Sequence, residues 1–197
     1  MKIKPIIIVN GDPNSIFLEI FFKSLKEKLN SPLILIASKK LLTLQMNKLK
    51  FRKKINLLNY KKLNELKLDN KLINLIDIKL NQNKAFEKIT NKSNKYIEDS
   101  FNMAIKILNS GYTDKFINGP ISKKNFLKKK YIGVTEYLAH KTKAKNYAMV
   151  IFNKTLSVSP IITHEPLKFV SKNISKSKIV KKIKIIDKFW KTKFNQK

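Results

Sequence analysis

Short apolar runs alternate along the chain with segments that carry apolar residues at helical spacing, and this alternation limits the possible folds most strongly. Residues 5–10 form one apolar run, and residues 32–37 form the next. Between them, residues 16–29 place apolar side chains three and four positions apart, as an amphipathic helix does. Runs that are apolar on both faces are typical of parallel strands covered by helices. The pattern predicts an α/β fold with three layers, α/β/α.

The middle of the chain continues this pattern less regularly. Strands are predicted at residues 55–59, 75–78 and 115–118, and the Lys/Asn-rich stretches between them are interpreted as loops or an irregular sheet edge. A longer amphipathic helix is predicted from Ser93 or Asn94 up to Gly111, since glycine is a typical helix stop. Ser122 and Thr135 each stand where an N-cap residue would open a helix.

The last third of the chain predicts two adjacent strands, residues 147–152 and 156–163, and a final helix over residues 177–193. A parallel α/β fold normally returns from a helix to another strand. We therefore expect a truncated chain whose final helix has a partly uncovered apolar face. That face consists of Ile179, Val180, Ile183, Ile186, Phe189 and Trp190.

The formal net charge of +30 is typical of nucleic-acid-binding proteins, but its composition argues against that role. Of the 43 basic residues, 42 are Lys and only Arg52 is Arg. Proteins that read nucleic acids favour Arg, because its planar group pairs bidentately with phosphate and guanine. Lys, Ile and Asn all have codons rich in A and T, so drift in an AT-rich genome explains the charge more simply. We expect no nucleic-acid partner.

The absence of cysteine excludes disulfides and thiolate metal sites. The first apolar run contains only four consecutive aliphatic residues, 6–9, which is too short for a signal peptide, and a membrane span needs about 20 apolar residues. These features predict a soluble cytoplasmic protein with no membrane partner.

Glycine and histidine usage limits the cofactor sites. The four glycines are not clustered, so neither a dinucleotide fingerprint nor a P-loop is present. Of the two histidines, His140 follows Glu136 by one helical turn, as in a solvated pair on a helix face. His164 ends an apolar run, where side chains line the ligand crevice of α/β proteins, although its position alone favours a structural role.

Five segments, in order, resemble the 4-hydroxythreonine-4-phosphate dehydrogenase family and together extend over nearly the whole chain. They are Gly11-Asp12-Pro13 with Glu19, the helix of residues 96–108, Ile117-Asn118-Gly119-Pro120-Ile121-Ser122-Lys123, Gly133-Val134-Thr135-Glu136-Tyr137-Leu138-Ala139, and Thr163-His164-Glu165-Pro166-Leu167.

The resemblance implies a two-lobed enzyme, similar to isocitrate and isopropylmalate dehydrogenases, that oxidises 4-hydroxythreonine 4-phosphate on the route to pyridoxal phosphate. NAD and a divalent metal (zinc, magnesium or cobalt) would be its cofactors, and a homodimer its assembly. Thr135 would contact the substrate and Lys123 would lie near it, while His164 would be one of three histidine metal ligands. The lobes would comprise residues 1–118 and the start of a second lobe at residues 119–197.

The sequence also departs from the family pattern. Val134 replaces the histidine that precedes the family's threonine, and Asn14, Ser15 and Phe17 replace residues of its glycine-rich turn. The other two metal histidines belong to the family's C-terminal part. We therefore expect weak or no activity from this chain alone.

Two other functions stay open on the sequence. One is a non-catalytic remnant that is kept for binding a partner or is decaying outright. The other is a basic protein that binds nucleic acid or a membrane surface through the lysines of residues 168–197. The simpler interpretation of those lysines is a solvated helix face.

Overall fold

The computed structural model describes residues 3–128, 130–153, 155–163 and 166–194. It divides into two compact units, Met1–Lys128 and Lys129–Lys197, which are described separately. The predicted lobe boundary after residue 118 concerns the complete enzyme and stays a prediction.

The first unit is built on a sheet of five parallel strands in the order β3-β4-β2-β1-β5. The strands are β1 Ile6–Val9, β2 Leu33–Ala37, β3 Ile55–Leu57, β4 Ile73–Asp77 and β5 Phe116–Asn118. In strand β1, which lies between β2 and β5, Ile8 pairs with Leu35 on one side and with Ile117 on the other. The predicted α/β fold is confirmed, although β3 and β5 are shorter than predicted.

Helices cover both faces of this sheet. They are α1 Phe17–Ser24, α2 Lys39–Lys48 and α3 Asn94–Asn109. α1 and α2 pack on the face that carries Ile8 and Leu35. α3 contacts β1 and β2. Because strand side chains alternate between faces, Ile7 and Ile34, which are fully buried, point to the other face of the sheet.

Local signals determine where these helices begin and end. The Ser38 side chain accepts a hydrogen bond from the Leu41 N–H at 3.3 Å and so caps α2. Gly111 follows α3 with a φ of +76°, a conformation that favours glycine. α1 ends earlier than predicted because the backbone tightens after Ser24, whose carbonyl accepts from the N–H of Glu27 three residues on.

The second unit contains α4 Val134–Lys141, α5 Leu167–Asn173 and α6 Lys176–Phe194. The two strands predicted before α5 are not regular strands in the described residues. An antiparallel bridge joins Ile151 to Val158 instead. The side chains of these two residues are 58% and 50% exposed, so the segment lacks the buried face that stabilises a strand.

The final helix agrees with its prediction. No residue of α6 is buried, and Ile183 and Phe189 are 57% and 47% exposed. The predicted uncovered apolar face is therefore confirmed for the described chain. Among the described residues, no helix is both long and apolar enough to cross a bilayer.

Candidate functional site

Helix α4 carries Thr135, the predicted substrate contact. Gly133, in an extended conformation, is the N-cap of α4, so Thr135 is the second residue of the helix. The N-cap prediction for Thr135 was wrong, because Gly133 already supplies the extended backbone from which the helix starts. The Thr135 side chain is exposed, and its substrate contact stays a prediction.

Two segments that are distant in the sequence meet beside α4. The hydroxyl Oγ1 of Thr163 donates a hydrogen bond to Oε1 of Glu136 at 3.5 Å. Glu136 follows Thr135, and Thr163 precedes His164, so the contact joins the sequence neighbours of two predicted site residues. His164 itself lies outside the described residues, and its role as a metal ligand stays a prediction.

An open cavity of about 360 Å³ adjoins this contact, and both Glu136 and Thr163 line it. Four lysines also line it: Lys145, Lys178, Lys181 and Lys182. Glu136 is the single carboxylate among the described lining residues, so the cavity carries an excess of positive charge. Thr135 is not part of the lining.

The described residues by themselves do not fit a divalent metal centre. Nδ1 of the exposed His140 is hydrogen-bonded to the hydroxyl of Tyr131 at 2.9 Å. In the part of the chain that the structure describes, no three His, Cys, Asp or Glu side chains are grouped as metal ligands would be. A metal site built on His164 needs ligands from beyond these residues.

Lys123 belongs to the first unit, where it begins a π-helical turn, Lys123–Leu127, after β5. Ser122 caps this turn, as predicted, because its side chain accepts a hydrogen bond from the Asn125 N–H at 3.1 Å. The Lys123 side chain is exposed. Its place near the substrate stays a prediction.

Two glycines close the space at the carboxyl ends of β1 and β5. A Cβ atom on Gly11 would overlap the carbonyl oxygen of Pro120, and one on Gly119 would overlap that of Asn10. The N–H of Asp12 donates to the same Pro120 carbonyl at 2.8 Å. Backbone atoms thus occupy the region where a Rossmann turn holds a pyrophosphate. This turn does not fit that mode of NAD binding, in agreement with the scattered glycines of the sequence.

Asp12 adds a carboxyl group to this edge of the sheet, and its side chain is only 2% exposed. Burial raises the pKa of the carboxyl above its usual value, while a 2.9 Å hydrogen bond from the Asn14 N–H acts in the opposite direction. When ionised, a carboxylate at this position repels a phosphate group. In its ionised state, the Asp12 carboxylate therefore adds to the steric argument against a dinucleotide at this turn.

The sequence did not single out the lysines of the cavity as a site. It favoured the interpretation that the C-terminal lysines form a solvated helix face. Lys178, Lys181 and Lys182 are three and four positions apart, a spacing that places them on one side of a helix. In a chain with 42 lysines, such a spacing carries little information by itself. The convergence of Lys145 from another segment is visible only in the folded structure.

The sequence profile of a family described as pyridoxal phosphate biosynthetic protein PdxA matches residues 28–197. The chain belongs to the PdxA family. This result confirms the predicted resemblance. The 4-hydroxythreonine-4-phosphate dehydrogenase of Sulfurihydrogenibium sp. is 35% identical over 192 residues, which cover 95% of this chain and 58% of that relative.

Two further comparisons agree with membership in the PdxA family. The D-threonate 4-phosphate dehydrogenase of Salmonella typhimurium is 29% identical over 97% of this chain and 60% of its own length. A crystal structure of the 4-hydroxythreonine-4-phosphate dehydrogenase from Klebsiella pneumoniae has a TM-score of 0.84 and 25% identity, over 95% of this chain and 58% of that structure. The chain thus spans about three fifths of the length of these relatives, all of which are named dehydrogenases.

Proposed function

We propose that this chain forms part of an NAD- and divalent-metal-dependent 4-hydroxythreonine-4-phosphate dehydrogenase that acts in the cytoplasm as a homodimer. The observation that carries the proposal is the 35% identity to the Sulfurihydrogenibium enzyme over 95% of the chain. The fold supports it, because the contact between Glu136 and Thr163 joins two segments that resemble the substrate-binding and metal-binding segments of the family.

In this proposal Thr135 binds the phosphate group of the substrate. Its exposed hydroxyl stands in the first turn of α4, where backbone N–H groups are not used within the helix and the helix dipole favours an anion. Lys123 lies near the substrate, and His164 provides one metal ligand. The metal would supply Lewis-acid chemistry at the substrate alcohol, and NAD would accept the hydride.

The 197 residues by themselves supply only part of this site. By resemblance, the other two histidine ligands belong to the C-terminal part of the family enzymes, and the present chain spans 58% of the Sulfurihydrogenibium relative. We therefore expect turnover only when that remaining part is also present.

D-threonate 4-phosphate is a second candidate substrate, since a dehydrogenase named for it matches 97% of this chain. The two candidates share the phosphate group and differ in whether an amino or a hydroxyl group stands beside the carboxylate. The higher identity to the Sulfurihydrogenibium enzyme favours 4-hydroxythreonine 4-phosphate.

The experiment is an assay of NADH formation with both substrates and a divalent metal. It uses the 197-residue chain and a chimera in which the chain is continued by the C-terminal part of the Sulfurihydrogenibium relative. The proposal predicts that the chimera has a higher kcat/KM for 4-hydroxythreonine 4-phosphate than for D-threonate 4-phosphate. A preference for D-threonate 4-phosphate would support the second candidate, and a folded chimera that oxidises neither substrate would contradict both.

A further inference from the structure

We propose that the lysine-lined cavity of the second unit binds a small phosphate ester. We call this cavity the lysine pocket and define it by Lys145, Lys178, Lys181, Lys182 and Glu136. Its volume of about 360 Å³ lies in the range of small-molecule sites. The proposed dehydrogenase function assigns no role to these lysines, and the proposal of an ester site does not rest on that function.

Among the described lining residues of the lysine pocket, positive charge exceeds negative charge before a ligand binds. Lys178, Lys181 and Lys182 are neighbours on α6, and like charges at this spacing repel one another. They stand in the N-terminal half of the helix, and the first turn of α6 contains no acidic residue. The positive end of the helix dipole adds an unfavourable interaction with Lys178, which stands in the first turn. A bound dianion relieves both unfavourable terms.

Two of the ammonium groups are held in place by the backbone. Nζ of Lys182 donates to the carbonyl oxygens of Pro160 at 3.2 Å and Ile161 at 3.3 Å, and Nζ of Lys178 donates to the carbonyl of Asn173 at 2.8 Å. An ammonium group has three donors. Donors therefore remain on both groups for a ligand, and their fixed positions reduce the entropy that binding removes.

The rest of the lining favours an ester over inorganic phosphate. Ile132, Ile161 and Ile185 provide an apolar surface beside the lysines. The phosphate group would contact the ammonium groups, and the organic part of the ligand would cover the isoleucines.

The test is isothermal titration calorimetry of the 197-residue chain with inorganic phosphate and with phenyl phosphate at constant ionic strength. Phenyl phosphate should bind more tightly, because inorganic phosphate leaves the isoleucines uncovered. Lys181→Gln should weaken the binding of phenyl phosphate by about threefold to tenfold. The matched control is Lys184→Gln, which removes the same charge from the same helix outside the pocket and should change the affinity by less than about twofold.

A second variant changes the affinity in the opposite direction. Glu136→Gln removes the carboxylate from the pocket and keeps its shape, so it should tighten the binding of phenyl phosphate, an effect that unfolding cannot produce. If Lys181→Gln and Lys184→Gln lose the same affinity for phenyl phosphate, the net charge of the whole chain attracts the anion, and the proposal is overturned. Absence of binding, or no gain in Glu136→Gln, would also overturn it.

Competition identifies the source of the phosphate ester. If 4-hydroxythreonine 4-phosphate displaces phenyl phosphate with the same dependence on Lys181, the pocket receives the substrate. If it does not, the pocket serves a second phosphorylated ligand. Both results support an ester site, and neither depends on dehydrogenase activity.

Discussion

Thr163 donates a hydrogen bond to Glu136 across 27 residues of sequence. The two residues belong to different segments of the family resemblance, one beside Thr135 and the other beside His164. Their contact is the structural link between the segments that the proposed function assigns to the substrate and to the metal.

Thr163→Val tests how much this contact contributes to stability. The donor–acceptor distance of 3.5 Å is long, and both groups are only partly buried. We expect the free energy of unfolding, measured with urea, to fall by about 1 kcal/mol or less. Thr163→Ser retains the hydroxyl and should keep more of the stability than Thr163→Val. A larger loss in the serine variant would show that the methyl group, rather than the hydrogen bond, stabilises this region.

Because Gly119 closely approaches Asn10, a substitution at Gly119 should destabilise the fold more than Thr163→Val does. A Cβ atom on Gly119 would meet backbone, and the Gly119 N–H donates to the Val9 carbonyl at 2.7 Å, so the loop cannot shift without losing that bond. Gly119→Ala should reduce the free energy of unfolding by about 3 kcal/mol. Gly111→Ala is the control. Gly111 has open space around it and a positive φ, so Gly111→Ala should lower the free energy of unfolding by about 1 kcal/mol. Equal losses in urea denaturation would contradict this account of the β1 and β5 loops.

Asp12 should make stability depend on pH. Burial raises its folded-state pKa above the usual 3.8, so the folded protein holds this proton more tightly than the unfolded chain. The stabilisation that comes from this tightly held proton is present at low pH and is lost as pH rises through the raised pKa. Above that pKa the buried charge destabilises the fold. Asp12→Asn keeps the shape and the acceptor for Asn14.

The Asp12→Asn variant should therefore be more stable than the wild type at pH 7, and this advantage should shrink as pH falls towards about 4. The measurement is the difference in the free energy of unfolding between the two proteins across this range. A wild type that gains stability relative to the variant as pH rises would show that a favourable interaction, not burial, dominates at Asp12.

Tyr96 is a buried hydrogen-bond acceptor at the same edge of the sheet. Its hydroxyl oxygen accepts from the Ser38 N–H at 3.2 Å and from Nδ2 of Asn10 at 3.4 Å, and burial raises the pKa of the phenol to about 12. Tyr96→Phe leaves two buried donors without this acceptor, so it should reduce the free energy of unfolding by about 1–3 kcal/mol. Tyr147→Phe, at an exposed position, should have almost no effect. A Tyr96→Phe protein with wild-type stability would show that water satisfies both donors.

The first unit was the more predictable part of the fold. β1 and β2 are apolar on both faces, and this burial gives a strong local signal. The segment around Ile151 and Val158 has the same kind of residues but leaves them exposed, so composition predicted strands that the described chain does not form. Strand formation there depends on partners that a local pattern cannot specify.

The candidate site was predictable only in part. Thr135, Lys123 and His164 came from motif resemblance, and the structure places the first two without testing their roles. The contact of Thr163 with Glu136 and the convergence of Lys145 on α6 arise from tertiary structure. Periodicity reports the face of one element at a time, so neither arrangement could be derived from it.

The most direct test of the proposed function compares the two histidines in the chimera with the C-terminal part of the Sulfurihydrogenibium relative. NADH formation is measured with 4-hydroxythreonine 4-phosphate and a divalent metal, and metal content is measured in parallel. His164→Ala should lower metal content and reduce turnover by at least about 100-fold. His140→Ala, at an exposed residue bonded to Tyr131, should leave both near wild type. Full turnover and metal content in His164→Ala would contradict the assignment of a metal-dependent dehydrogenase site to this chain.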